Sequence, residues 1–140
     1  MSIAENIDLV KSHLPAQVQL IAVSKTKPVE MLLEAYNYGQ RAFGENKVQE
    51  MTAKFEAMPK GIEWHFIGHL QTNKIKYMAS FVHLIHGVDS FKLLKTINTE
   101  ARKTSRVISC LLQFHIAEEE TKFGLSMEEA EEMLQSDEFA

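Results

Sequence analysis

Hydrophobic and polar positions along the chain repeat one unit, in which a short apolar run is followed by a polar turn and then by a helical stripe. The apolar runs recur at intervals of roughly 20 to 24 residues, which is typical of consecutive βα units rather than of hairpins. We therefore predict five strands, over Leu20 to Val23, Arg41 to Phe43, Glu63 to Ile67, Leu84 to Val88 and Val107 to Ile116.

The segments between these runs carry helix signals. Pro28 suits a first helical position and Gly39 suits the stop of the same helix, while Ser126 and Glu129 have the spacing of a capping box. The other predicted helices are an early one with Ile3, Ile7 and Val10, one with Val48, Met51 and Phe55, one with Ile75, Met78 and Ala79 after a Thr72 cap, and one with Leu93, Leu94, Ile97 and Ala101 after a Ser90 cap. No linker or low-complexity stretch divides residues 1–140, so we expect a single domain.

The periodicity leaves two architectures open. A closed (β/α)₈ barrel has eight strands and typically needs about 250 residues, whereas an open doubly wound sheet accommodates five strands. No Gly-x-Gly-x-x-Gly motif follows the first strand, so a dinucleotide site has no local support.

Composition narrows the class of protein. The 140 residues are 45% hydrophobic and 24% charged, which describes a globular unit able to bury a core. A net charge of -4 argues against a nucleic-acid surface. Cys110, the single cysteine, lies in an apolar run and is expected to be a core residue of a reduced protein. Neither a signal peptide nor an apolar stretch of bilayer length is evident, so we expect a cytoplasmic protein without a membrane partner.

Lys25 is the first candidate for chemistry. It ends the first apolar run and directly precedes a polar turn and a helix, which places it at the mouth of a predicted parallel strand. A lysine that lies there out of bulk water is a candidate amine for a Schiff base with a carbonyl ligand such as pyridoxal phosphate (PLP). The alternative is a solvated lysine at a strand end, which is the commoner case for this segment taken alone.

Three motifs occur at successive βα boundaries. Residues 22–28 are Ala-Val-Ser-Lys-Thr-Lys-Pro, residues 43–50 are Phe-Gly-Glu-Asn-Lys-Val-Gln-Glu, and residues 64–74 are Trp-His-Phe-Ile-Gly-His-Leu-Gln-Thr-Asn-Lys. With these motifs the chain resembles the pyridoxal phosphate homeostasis proteins, also called proline synthetase co-transcribed homologues, which belong with the N-terminal domain of alanine racemase-like proteins. The resemblance continues through weaker matches to about residue 124 and so covers nearly the whole chain.

The resemblance implies a TIM-like (β/α)₈ barrel, of which this chain carries only about the first five βα units. It also implies that PLP is bound as an internal aldimine on the lysine that matches Lys25, without turnover, and that the protein holds or delivers PLP to PLP-dependent apo-enzymes. Ligand sites of such barrels lie at the carboxyl ends of the strands, where Lys25 falls. Asn46 follows the second strand, where its amide either contacts the pyridine ring or its oxygen, or caps the next helix.

An enzyme of the alanine racemase type is the alternative function. Racemisation by two bases needs a second proton-transferring group opposite Lys25, which alanine racemases draw from a separate β domain. We expect no such domain within the 140 residues, so a non-catalytic carrier is favoured. A third and weaker hypothesis is an aldolase-type enzyme, in which Lys25 would form a Schiff base directly with a sugar substrate.

The histidines and acidic residues support no metal site, because their spacing is unlike that of zinc ligands. His65 should lie on the face of its strand opposite Trp64 and Phe66, as a pocket candidate rather than a catalyst. The run Glu118 to Glu120 is expected to be a solvated loop.

Two departures from the family pattern matter. The usual Gly-Pro-Leu-Gln is Gly68-His69-Leu70-Gln71 here, and the usual Gln-Val-Asn is residues 113–115, Gln-Phe-His. The Ser-Met-Gly-Met-Ser-type loop and the final Arg-x-Gly segment that grip the phosphate in the family are not found in the 140 residues. We accordingly expect an unclosed edge at the fifth strand, through which the chain could self-associate.

Overall fold

A five-stranded parallel sheet organises the chain. The computed structural model describes residues 2–116 and 124–139. The strands are β1 (Ala22–Val23), β2 (Ala42–Glu45), β3 (Glu63–Phe66), β4 (Val82–Val88) and β5 (Ser109–Leu112), and they lie in the sheet in chain order. All four neighbouring pairs are parallel, which confirms the prediction of successive βα units.

Helices connect the strands and cover one face of the sheet. They are α1 (Ile3–Ser12), α2 (Val29–Asn37), α3 (Val48–Ala57), a 3₁₀ helix (Thr72–Tyr77), α4 (Phe91–Lys103) and α5 (Met127–Gln135). Two predicted caps are confirmed: Ser90 Oγ accepts a hydrogen bond from the Leu93 N–H at 3.1 Å, and Ser126 and Glu129 form a capping box.

The structure corrects the details of two helices and two strands. The segment after β3 is a 3₁₀ helix that begins at Thr72, not an α-helix capped by it, and Pro28 is the N-cap of α2 rather than its first residue. The first strand covers two residues instead of four. The predicted fifth strand shrinks to Ser109–Leu112, because Val107 and Ile116 are almost fully exposed and make no strand pairing.

The core lies between the sheet and its helices. Phe43, Trp64 and Phe66 point into it from β2 and β3 and are 1% exposed, and Val82 and Ile85 join them from β4. Four methionines, Met51, Met58, Met78 and Met133, are buried as well. Apolar burial of this kind is the main stabilising contribution to the fold.

The second face of the sheet is open. Val23 on β1 is 54% exposed and Leu111 on β5 is 49% exposed, although both are large and apolar. In a closed barrel this face is the interior, which further strands would cover. In the described residues β1 and β5 remain the two edges of the sheet, so the incomplete barrel predicted from the sequence is confirmed.

Cys110 is half-buried against the core, and burial raises the pKa of its thiol to about 11.

Within the described ranges, no helix combines the length and the apolar character that crossing a membrane requires. The acidic run at positions 118–120 lies outside the described residues.

Candidate functional site at the carboxyl edge of the sheet

The parallel strands bring the predicted site residues to one edge. The Ser24 N–H donates to the Gly44 carbonyl at 2.9 Å, so main-chain pairing reaches the residue just before Lys25. Asn46 is the first residue after β2. Lys25 and Asn46 therefore lie at the same edge of neighbouring strands, where ligand sites of βα folds are found.

The environment of Lys25 differs from the expectation. Lys25 is exposed, whereas a position out of bulk water was predicted. The physical reason is the open face: strand alternation puts Lys25 on the side of Val23, which no further strand covers among the described residues. Alternation is evident at this strand end, because Ser24 is buried on the helix side while Val23 is exposed.

A buried charge cluster lies on the helix side of the same strand end. We call Glu45, Glu50 and Lys54 the charge cluster. Lys54 Nζ is 2.8 Å from Glu45 Oε2 and 2.7 Å from Glu50 Oε2, and it donates to the Ser24 carbonyl at 2.7 Å. The Ser24 hydroxyl also donates to Glu45 Oε2. Strands β1 and β2 are thereby joined to α3 by charge-assisted hydrogen bonds.

The charge cluster reaches the main chain beyond Lys25 as well. The Thr26 N–H donates to Glu50 Oε2 at 2.7 Å, and Thr26 has a φ of 64°, which is unusual for a β-branched residue. The hydrogen bond from Lys54, together with that from Thr26, lowers the pKa of Glu50, which is therefore a carboxylate at neutral pH.

Sequence reasoning did not identify the charge cluster. The spacing of Glu50 and Lys54, four residues apart on a predicted helix, was a usable signal for an ion pair. That spacing does not reveal that Lys54 is buried and Glu50 partly buried under the end of β1, because burial depends on how α3 packs.

Asn46 lines a cleft beside this edge. The cleft has a volume of about 540 Å³, and its polar lining includes Asn46, Lys47, His69, Gln71 and Lys74. The structure thus brings Asn46 together with His69, one of the residues that departs from the family pattern, whereas Lys25 is not in the lining. The helix-capping alternative for Asn46 is wrong, because the N-cap of α3 is Lys47 and no side chain caps this helix.

Gly68, which follows β3, lies in close contact with the main chain of Asn46. A Cβ atom on Gly68 would lie 2.5 Å from the Asn46 carbonyl oxygen and 2.8 Å from its Cα. Both contacts are shorter than van der Waals distance and both are to main chain, which yields less readily than a side chain. Only glycine allows the segment after β3 to approach the segment after β2 this closely.

Substituting Gly68 with alanine is expected to lower the free energy of unfolding by about 1–3 kcal/mol, because the added methyl group must displace the main chain at Asn46. Gly44→Ala is the matched comparison: its Cβ would meet the side-chain methyl groups of Ile21 and Ile67 at 3.2 Å, which can shift. Urea denaturation of both variants measures the difference. Equal losses in the two variants would contradict the close-approach argument.

A histidine cluster lies on β3 and β4, away from the cleft. His65 Nδ1 is 2.9 Å from His86 Nε2, and the rings of His65 and His83 are 5.3 Å apart. His65 is 2% exposed, and its Nε2 has no hydrogen-bond partner among the described residues. It lies opposite Trp64 and Phe66, as predicted. Within residues 2–116 and 124–139, no group of three or more His, Cys, Asp or Glu side chains could hold a metal ion.

His65 is neutral at physiological pH. Burial, followed by the neighbouring charges of His86 and His83, lowers its pKa to about 4. Burial also lowers the pKa of His86. Protonation of either imidazole would place a charge beside a second histidine in a poorly hydrated site, which disfavours the folded state.

The fold should consequently lose stability in mild acid. The unfolded chain takes up a proton on His65 near pH 6.5 and the folded chain near pH 4, so stability falls by roughly 2–3 kcal/mol as the pH drops through this window. Urea denaturation between pH 4 and 7.5 measures the slope. His65→Gln should flatten it, whereas His13→Gln, at an exposed histidine after α1, should not. An unchanged slope in His65→Gln would contradict the assignment.

Comparison with known proteins supports the same family that the motifs indicated. The family described as alanine racemase, N-terminal domain, matches residues 1–138. The pyridoxal phosphate homeostasis protein of Aquifex aeolicus is 42% identical over 118 residues, which are 84% of this chain and 52% of that protein. Its counterpart in Vibrio alginolyticus is 37% identical over 147 residues, covering 94% of this chain and 63% of the relative.

Solved structures show the same relationship. PipY of Synechococcus elongatus with PLP bound superposes with a TM-score of 0.86 at 37% identity, over 95% of this chain and 62% of PipY. Alanine racemase of Bartonella henselae with covalently bound pyridoxal phosphate superposes with a TM-score of 0.74 at 15% identity over 98% of this chain and 38% of the racemase, a likeness that shows the fold alone.

The chain spans about half to three fifths of the length of these curated relatives. Its α/β sheet is similar to the corresponding part of the barrel in PipY and in alanine racemase. The chain therefore belongs to the alanine racemase N-terminal domain family, and within it the chain is similar to the pyridoxal phosphate homeostasis proteins.

Proposed function

We propose that this chain binds PLP and holds it covalently on Lys25, without turnover, as part of PLP homeostasis in the cytoplasm. The observation that carries the proposal is the position of Lys25 at the carboxyl edge of β1, in a chain similar to PipY, whose structure contains bound PLP. The homeostasis proteins among its relatives support a binding role rather than catalysis.

The chemistry of holding PLP needs one free amine. Lys25 Nζ adds to the aldehyde carbon, a C=N bond forms and one water molecule leaves, and hydrolysis reverses the same step. Lys25 is exposed, so its amine is accessible both to the incoming aldehyde and to the water that releases it. A reversible bond at an accessible site suits a protein that stores PLP and passes it on.

Asn46 is the second residue that we assign to the PLP site. It lies one strand away from Lys25 at the same edge, and it borders the cleft. Its side-chain NH₂ group can donate to the oxygen attached to the pyridine ring, or its carbonyl oxygen can accept from a protonated ring nitrogen, which would orient the ring without forming a covalent bond. The lining of the cleft also includes Lys47 and Lys74, whose charges favour an anionic ligand, together with Glu50, whose carboxylate charge opposes one.

Racemisation is not favoured for this chain. The likeness to alanine racemase extends to the fold alone, and that enzyme type requires a second base facing the lysine across the cofactor. We therefore propose no catalytic residue. As partners we propose PLP-dependent apo-enzymes that receive PLP, and a second copy of this chain at the exposed edge of β5.

The test is retention of PLP by the purified 140-residue chain. The chain is mixed with PLP, passed through a desalting column and scanned by absorbance. We expect about one equivalent of PLP to remain with the protein and to be released by hydroxylamine, and we expect no exchange of the α-hydrogen of L-alanine. PLP that elutes entirely free would contradict the holding function, and exchange of the α-hydrogen would contradict the absence of turnover.

A further inference from the structure

The main chain on both sides of Lys25 is bound to the charge cluster. On one side, the Ser24 carbonyl accepts from Lys54 Nζ at 2.7 Å, and on the other the Thr26 N–H donates to Glu50 Oε2 at 2.7 Å. Each of the two peptide groups that flank the Lys25 Cα therefore makes a hydrogen bond to the ion pair of α3. They make local bonds as well: the Ser24 carbonyl accepts from the Lys27 N–H at 3.1 Å, and the Lys25 carbonyl accepts from the Thr26 hydroxyl at 2.6 Å.

The Lys54 ammonium is fully hydrogen-bonded, although Glu45 Oε1 is buried without a partner among the described residues. Lys54 has three ammonium donors, and their acceptors are Ser24, Glu45 and Glu50. The Lys54 side chain is 6% exposed and that of Glu45 is 0% exposed, so water competes little for the bonds that Lys54 makes to Ser24 and Glu45. The Glu50 side chain is 26% exposed, and its bond from the Thr26 N–H lies nearer the surface. Charge-assisted hydrogen bonds in such surroundings are stronger and hold a more defined geometry than those on a surface.

The held segment has an uncommon conformation. Thr26 lies in the left-handed region with a φ of 64°, and a β-branched residue adopts this region only when its surroundings impose it. The bond from its N–H to Glu50 provides that constraint. A buried ion pair is also rarely the most stabilising choice for a core, which makes a role in fixing a local geometry a better account of it.

We infer that Glu50 and Lys54 are positioning residues for Lys25: they hold the main chain at Ser24 and Thr26 so that the lysine leaves the strand end in one fixed direction. This inference rests on the proposed function for its purpose, and on the hydrogen bonds alone for its geometry. Neither residue is assigned a contact with PLP through its side-chain ammonium or carboxylate.

The experiment compares Glu50→Ala with Glu56→Ala, which removes an exposed glutamate from the same helix. Amide hydrogen exchange of Thr26 is followed by NMR in the PLP-free chain. Loss of a hydrogen bond to a carboxylate is expected to speed this exchange about tenfold or more in Glu50→Ala and to leave it unchanged in Glu56→Ala. Glu50→Gln should restore part of the protection, because its amide oxygen can still accept from Thr26.

A second readout reports on Lys25 itself. PLP is added for a fixed time, borohydride stops the reaction, and labelled Lys25 is quantified by mass spectrometry. We expect labelling to slow several-fold in Glu50→Ala, with partial recovery in Glu50→Gln. If Thr26 exchange in Glu50→Ala matches that of Glu56→Ala, the positioning inference is overturned. If the unmodified chain takes up no PLP, the proposed function fails instead, and Thr26 exchange still decides the positioning role.

Discussion

Lys25→Ala is expected to abolish covalent attachment of PLP while changing the free energy of unfolding by less than about 0.5 kcal/mol. Lys25 is exposed and belongs to the site rather than to the core, so its removal takes away the amine without opening a cavity. The measurement is the mass of the protein after PLP addition and borohydride reduction, with urea denaturation as the check on stability.

Lys27→Ala is the matched control for this experiment. Lys27 is a second exposed lysine two residues further along, and its variant should still acquire the pyridoxyl mass. A Lys25→Ala chain that still became labelled to one equivalent would contradict the assignment and move it to another lysine. Lys27 and Lys122 are the next candidates, the latter outside the described residues.

Lys54→Met is expected to cost about 3–5 kcal/mol of the free energy of unfolding, because it leaves the Glu45 carboxylate buried without a counter-charge. A loss of this size is a large fraction of the roughly 5–15 kcal/mol that is typical of a folded domain. Urea denaturation at pH 7 measures it. An exposed lysine of α4 gives the control Lys92→Met, which should change the unfolding free energy by less than about 0.5 kcal/mol.

The double variant Lys54→Met with Glu45→Gln separates the buried charge from the loss of packing. The glutamine amide oxygen can still accept from the Ser24 hydroxyl but carries no charge, so the double variant should recover a substantial part of the lost stability. A single Lys54→Met variant within about 1 kcal/mol of the unmodified chain would show that Glu45 is not held as a buried carboxylate by this lysine.

The succession of βα units along the chain and the two faces of the strands were predictable because they depend on local patterns, whereas periodicity alone left a barrel and a doubly wound sheet open. Alternation along β3 put Trp64 and Phe66 on one face and His65 on the other, and the structure has this arrangement. The helix caps at Ser90 and Ser126 were predictable for the same reason, since each needs only the hydroxyl and the next turn of the chain.

What the sequence did not predict depends on contacts between distant segments. The pairing of Ser24 and Thr26 with α3 joins residues more than 20 positions apart, so no local pattern reveals it. The exposure of Lys25 was mispredicted because the expectation rested on its position at the end of a parallel strand, whereas exposure depends on which other segments cover that face. The 3₁₀ helix was mistaken for an α-helix because apolar residues three apart, such as Ile75 and Met78, fit both.

The central claim is that this chain holds PLP on Lys25, and the most direct measurement is a peptide map of the PLP-treated, borohydride-reduced protein. The account predicts a single pyridoxyl group on the peptide that contains Lys25, at about one equivalent per chain. An unlabelled chain, or a label spread over several exposed lysines without preference for Lys25, would contradict it.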